Sequence, residues 1–435
     1  MNKENIRQFF GNIKDKVSIL KLGEDSDWED EMQNEDWQEP FDSEDEEELP
    51  EGDLKAKIFQ YRQNKYYRNA VIVFLAAVVL GGFIIYNKIV TYDTYVIAAS
   101  YENTVAAGTQ YVMADKDILK YNADGVSCVS RNNDVRWSIT YSMQAPVADI
   151  CDTTMVIAEQ QGTQIYIVEG EEGQIGSFET TAPILKARVA RQGVVAAVLQ
   201  EDDVTWVNLY QTDGTLIASD KTTLMESGYP LDIAISPDGQ RLMVSYLQVT
   251  GGVLSDTVVF YHFGTAGQKK ENHIVSSETF EGTAVPDVYF VDNSHSVAVT
   301  DQGFAVFQGK DEPKKTATVE FEDEIVSCFH ENETIGFVFN SEDTESRYRM
   351  ELYNLRGKRK MKTELDRTFS RIKMENGQIL MYNDKNCTVY TSSGHEKFSA
   401  NYEKEVSGFF YFSEFRKYLV ITRDSFDRIR IGAGG

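Results

Sequence analysis

From residue 88 onward the sequence predicts an all-β fold, an eight-bladed β-propeller, with seven blades as the alternative. Three observations carry this expectation. Short apolar runs broken by turn residues follow one another with no convincing helix of any length. An aromatic strand ends as Tyr-x-x-x-Gly at Tyr166/Gly170, Tyr210/Gly214, Tyr353/Gly357 and Tyr390/Gly394, with looser versions at Tyr261/Gly264 and Phe307/Gly309. A four-strand register also recurs, its first strands beginning near Gln110, Val147, Ile184, Leu231, Asp287, Ile325, Ser370 and Val406. Those spacings suit propeller blades.

Before the repeats, residues 1–23 read as a short amphipathic helix. Ile6, Phe9, Phe10, Ile13, Val17 and Leu20 recur every three or four positions among basic residues. Residues 24–53 hold seventeen acids and no Lys or Arg, so like-charge repulsion predicts disorder. Within that tract Trp28, Trp37 and Phe41 are spaced as in a linear motif for a cytoplasmic protein partner; an inert solvated spacer is the alternative. Residues 54–68 are expected to form a basic juxtamembrane helix.

Residues 69–87 carry no formal charge and, at helical rise, extend about 28 Å, close to the thickness of a bilayer core. Lys55, Lys57, Arg62, Lys65 and Arg68 precede them, whereas Lys88 stands alone until Lys116. This asymmetry predicts a retained single-pass transmembrane helix in a cell membrane, with a cytoplasmic N-terminus and an extracytoplasmic C-terminal domain. The long acidic region ahead of the span argues against a cleaved signal peptide.

The propeller, residues 88–435, has two worked examples of its register. One is Ile184–Ala190, Val194–Gln200, Trp206–Gln211 and Leu216–Lys221; the other is Leu231–Ser236, Arg241–Leu247, Thr257–Phe263 and Asn272–Ser277. Ser236 to Gly239, Ser-Pro-Asp-Gly, marks a turn. The last unit has only three strands, so residues 94–101 are expected to supply the fourth and close the ring.

The blades resemble pyrroloquinoline-quinone-type and WD-type propeller repeats, and Ile118–Trp137, with its Gly125 turn and closing Arg-Trp, most resembles the former. Through Tyr121 to Gly125, Tyr229 to Asp232 and Tyr382 to Asp384, the chain is similar to a clostridial membrane-protein family, domain-of-unknown-function family 5711. The resemblance implies a propeller outside the membrane and supplies no activity.

The formal charge of −26 is spread over both sides of the apolar segment. No basic footprint for nucleic acid exists, so that partner class is excluded. Cys128, Cys151, Cys328 and Cys387 stand far apart without metal-binding or redox spacing and read as small buried hydrophobes. The five histidines are scattered, and no nucleophile, phosphate loop or zinc spacing appears. Quinone-dependent dehydrogenases of similar fold need a calcium site and, in many, adjacent cysteines, which this sequence lacks. The expectation is therefore a non-enzymatic protein without cofactor or metal.

Two constellations remain. Aligned first strands place Gln110, Asp149, Lys186, Asp232, Asp287, Ser327, Arg371 and Gly408 at one level of the central channel. Asp232 and Asp287 could share a divalent cation, or Lys186 could pair with Asp149 or Asp232. On one face, the connections Thr223–Tyr229, Gln248–Asp256 and Ser276–Pro286 read as long loops. They would expose Tyr229, Val249, Val253 and Leu254 as a partner surface. The expected role is a binding, scaffold or sensor module for an envelope protein or cell-wall component. An exported enzyme using the channel, or a structural envelope subunit, is the alternative.

Overall fold

The computed structural model describes residues 67–82 and 90–432, save 105, 107, 203, 224–227, 343–345 and 413–415. Residues 67–82 form a helix. Among the described residues no helix is long and apolar enough to cross a membrane. The rest of the expected span, residues 83–87, lies outside them, as do the proposed helix at 1–23, the acidic tract with Trp28, Trp37 and Phe41, and residues 54–66.

Eight four-stranded antiparallel sheets follow in chain order, each a blade numbered from the N-terminus. Their first strands are Gln110–Ala114, Pro146–Cys151, Ile184–Val189, Tyr229–Ile235, Asp287–Phe290, Ile325–Glu331, Arg371–Glu375 and Val406–Tyr411. The eight-blade count holds and the seven-blade alternative falls. Blade 8 is completed by Tyr95–Glu102, which pairs with the last strand, Ser425–Ile431, from Tyr95 opposite Ile431 to Glu102 opposite Ser425. The two ends of the domain thus share one sheet, as the missing fourth strand required.

Eight apolar clusters hold the ring together, one between each pair of adjacent blades. A sheet packed on both sides must be apolar on both faces. Accordingly Met155 to Ala158 and Val195 to Leu199, in second strands, are buried without alternation. The recurring tyrosine belongs to this packing. Tyr210 meets Phe178 of blade 2 at 5.0 Å, and Tyr353 meets Phe304 of blade 5 at 5.5 Å. The accompanying glycine turns the third strand into the fourth: Gly214, Gly357 and Gly394 have φ of 84°, 72° and 84°. In blade 2 Gly173, and not Gly170, takes the left-handed position.

Blade 4 departs from the expected register. Its second and third strands, Arg241–Thr250 and Val253–His262, are the longest in the ring and meet in a two-residue turn at Gly251 and Gly252. Gln248–Asp256 is therefore an extended hairpin and not a loop, because two glycines at positive φ permit a tight reversal. Ser276–Pro286 is likewise mostly strand, since Ile274–Glu281 continues the ladder. The fourth strand begins at Ile274 instead of Asn272, after a 3-10 turn at Glu271–His273.

Candidate functional site

Inner strands bring the channel residues together, but their pairing is selective. Lys186 Nζ lies 2.7 Å and Arg188 Nη2 3.1 Å from Asp232 Oδ1. The other oxygen, Oδ2, accepts the Val288 N–H of blade 5 at 3.0 Å. Asp232 is completely buried and joins three blades. Asp149 is not a partner of Lys186; its Oδ2 accepts the Val189 N–H at 2.9 Å. Arg371, in blade 7, contacts Gln110 Oε1 of blade 1 at 3.1 Å through both terminal nitrogens. Blade 8 places Gly408, without a side chain, at the corresponding level.

Register explains why some of these side chains share a level. First strands carry a bulge between Ile184 and Lys186, Pro230 and Asp232, Ile325 and Ser327, and Val406 and Gly408. One extra residue there re-aims the side chains that follow.

Asp287 stands beside Asp232. Burial, and then the Asp232 charge, pushes its carboxyl up to about 6. Among the described residues no group of three or more carboxylates, histidines and cysteines is arranged to hold a metal. The Asp232–Asp287 pair is instead balanced by Lys186 and Arg188, which occupy the oxygen that a cation would need.

A cavity of about 300 Å³ opens beside this pair, lined by Asp149, Cys151, Arg188, Asp287, Tyr289 and His330 among others. The His330 ring stacks on Tyr289 with centroids 3.7 Å apart. His330 keeps an exposed surface, but desolvation by the protein around the ring pushes its imidazole down to about 4. Burial likewise pushes the Cys151 and Cys328 thiols up to about 11, far from the thiolate a nucleophile requires. Sequence reading missed Arg188, Tyr289 and His330. Arg188 and Tyr289 sit two residues beyond Lys186 and Asp287, so strand alternation was the available signal for them; His330 lies three beyond Ser327 and had none.

The second candidate surface is the blade-4 hairpin. Val249 and Val253 are 66 % and 60 % exposed at its tip, and Tyr229 at its base is 36 % exposed. Leu254, expected to be exposed, is half-buried, and its carbonyl accepts the Gly282 N–H at 2.8 Å. Residues 224–227 of the neighbouring connection lie outside the described residues. The tip projects from the face bearing connections between second and third strands. The closing strand Tyr95–Glu102 starts on the opposite face, since its Glu102 end lies beside Ser425 at the turn into the third strand.

The model of a family of unknown function, DUF5711, matches residues 88–431. No curated protein matches the sequence. Among solved structures, the chain is similar to Saccharomyces cerevisiae Sqt1, at 11 % identity and a TM-score of 0.50, over 79 % of this chain and 100 % of that one. It is also similar to BamB from Moraxella catarrhalis, at 9 % identity and a TM-score of 0.49, over 78 % and 100 % of the two chains. At such identity the Sqt1 likeness speaks to the β-propeller fold alone.

Proposed function

The chain belongs to the family of unknown function DUF5711, and from that premise we propose a membrane-anchored, extracytoplasmic propeller that binds an envelope protein or cell-wall component. The observation that carries this reading is the blade-4 hairpin. It extends an ordered ladder beyond its neighbours and presents Val249 and Val253 to solvent around a Gly-Gly turn. Apolar side chains held at the tip of a rigid element have lost little freedom left to lose, so a partner recovers most of their burial energy. The uncharged run at 69–87 and its basic N-terminal flank support the anchor, with the N-terminus cytoplasmic. The acidic tract with Trp28, Trp37 and Phe41 is the element proposed to meet a cytoplasmic protein.

An exported enzyme is the second reading, favoured by the channel cavity beside Asp287. The two readings part on one experiment. Val249→Ser with Val253→Ser should weaken capture of an envelope partner by about ten-fold or more, with the melting temperature nearly unchanged. Asp287→Asn should leave capture intact. If the channel variant abolishes capture and the hairpin variant does not, the binding surface is misassigned.

A further inference from the structure

Blade 4 differs from the others in a second place. Residues 263–273, joining its third and fourth strands, form the longest connection on the face opposite the hairpin tip. That connection and the outer strands of blade 3 enclose a cavity of about 320 Å³, lined among others by Val207, Asp220, Leu242, Tyr261, Phe263 and His273. It lies at the rim between two blades, away from the channel.

Its chemistry is one-sided. Tyr246 Oη and Tyr261 Oη are 2.9 Å apart, and Tyr261 donates to Asp220 Oδ2 at 2.8 Å. This chain fixes the carboxylate, and among the described residues no cation pairs with it. Lys269 and Lys270 are exposed on the same connection and make no ion pair with Asp220. The His273 Nδ1 is shielded from water and has no hydrogen-bond partner. Aromatic walls complete the cavity: Phe263 lies parallel to Tyr261 at 6.5 Å and 5.6 Å from the His273 ring. Asn272 and His273 both hold left-handed backbone, φ 51° and 60°, which sets the imidazole in the wall.

We propose that this cavity binds an alkylammonium group, its N–H bonds directed at Asp220 and its methylene chain lying against Phe263 and the His273 ring. The matching is specific. An ammonium has only donors, and the cavity offers a carboxylate held by Tyr261 with no cation of this chain upon it. The aromatic faces favour a cation and its apolar stem together. A small free amine and a lysine side chain of a protein share this chemistry.

The test is calorimetric titration of the full chain in detergent micelles with n-butylammonium chloride. Binding is expected, with Asp220→Asn weakening it about ten-fold or more and Phe263→Ala about three-fold. The neutral isostere n-butanol should bind at least about ten-fold more weakly than the cation. Cadaverine and Nα-acetyl-lysine-N-methylamide distinguish the source: whichever binds tighter identifies a free amine or a protein side chain. Asparagine keeps an acceptor for Tyr261, so the fold should persist. If Asp220→Asn nonetheless unfolds, the Phe263→Ala and butanol comparisons read the same site. Absence of butylammonium binding, or equal binding by the wild type and Asp220→Asn, overturns the assignment.

Discussion

Two neighbouring carboxylates in the channel are set to different tasks by their surroundings. Asp232 carries Lys186, Arg188 and a backbone N–H, whereas Asp287 has burial and a like charge to contend with. Its folded value of about 6 exceeds the 3.8 of an unperturbed aspartate. Between those values the folded state binds the extra proton, so this group's contribution to stability falls as pH rises from about 4 to 6. Asp287→Asn removes the charge and should raise the melting temperature at pH 7 while leaving it nearly unchanged at pH 4. Equal shifts at both values would contradict the assignment. Asp292 behaves in the opposite sense. Burial disfavours its charge, but hydrogen bonds from His295 and Ser294 outweigh this and hold its carboxyl near 2. Its contribution is present above about pH 4 and is lost as pH falls through about 2, so Asp292→Ala should cost stability at pH 7 and much less at pH 2 in denaturant titrations.

Among the elements, the closing strand has the most to answer for. Tyr95–Glu102 covers what would otherwise be the exposed edge of Ser425–Ile431, and its Ser100 hydroxyl hydrogen-bonds Asp427. Asp427 is completely buried, and Tyr402 and Ser425 hold its other oxygen. Deleting residues 95–100 would open a sheet edge and strip one partner from a buried carboxylate. Urea unfolding should then report a loss of roughly 3 kcal/mol or more. A loss within about 0.5 kcal/mol, as for a surface change, would show that the strand is not structural. This element was legible in the sequence by counting, because the last repeat lacked a strand. The blade-4 hairpin was not legible, although its Gly251-Gly252 signal was present, because strand length depends on how far the neighbouring strands support the ladder. The inner-strand bulges were hidden for a related reason. An inserted residue changes no apolar pattern unless the partner strand is known.

For the whole molecule, the ring turns local repetition into a closed structure with no separate core, only eight packed interfaces. The proposed orientation across the membrane belongs at this scale. A membrane-impermeant thiol reagent applied to intact cells should label a cysteine placed at Asp311, whose side chain is 85 % exposed. It should leave one placed at Asp36 unlabelled. The reverse pattern would refute the extracytoplasmic propeller.

By itself the sequence determined the fold class and ring closure, and it narrowed the blade count to eight or seven. Those rest on turn chemistry and apolar runs repeated along the chain, which are local properties. It also placed Lys186, Asp232 and Asp287 together, since equivalent positions in a repeat fall at equivalent heights. Only the tertiary structure decided that Asp232, and not Asp149, takes Lys186, and that Leu254 is half-buried while Val249 and Val253 are bare. It alone brought Asp220 of one blade against Tyr261 and His273 of the next. Pairing partners, bulges and cavities between blades arise from contacts between residues distant in sequence, and no local pattern encodes them.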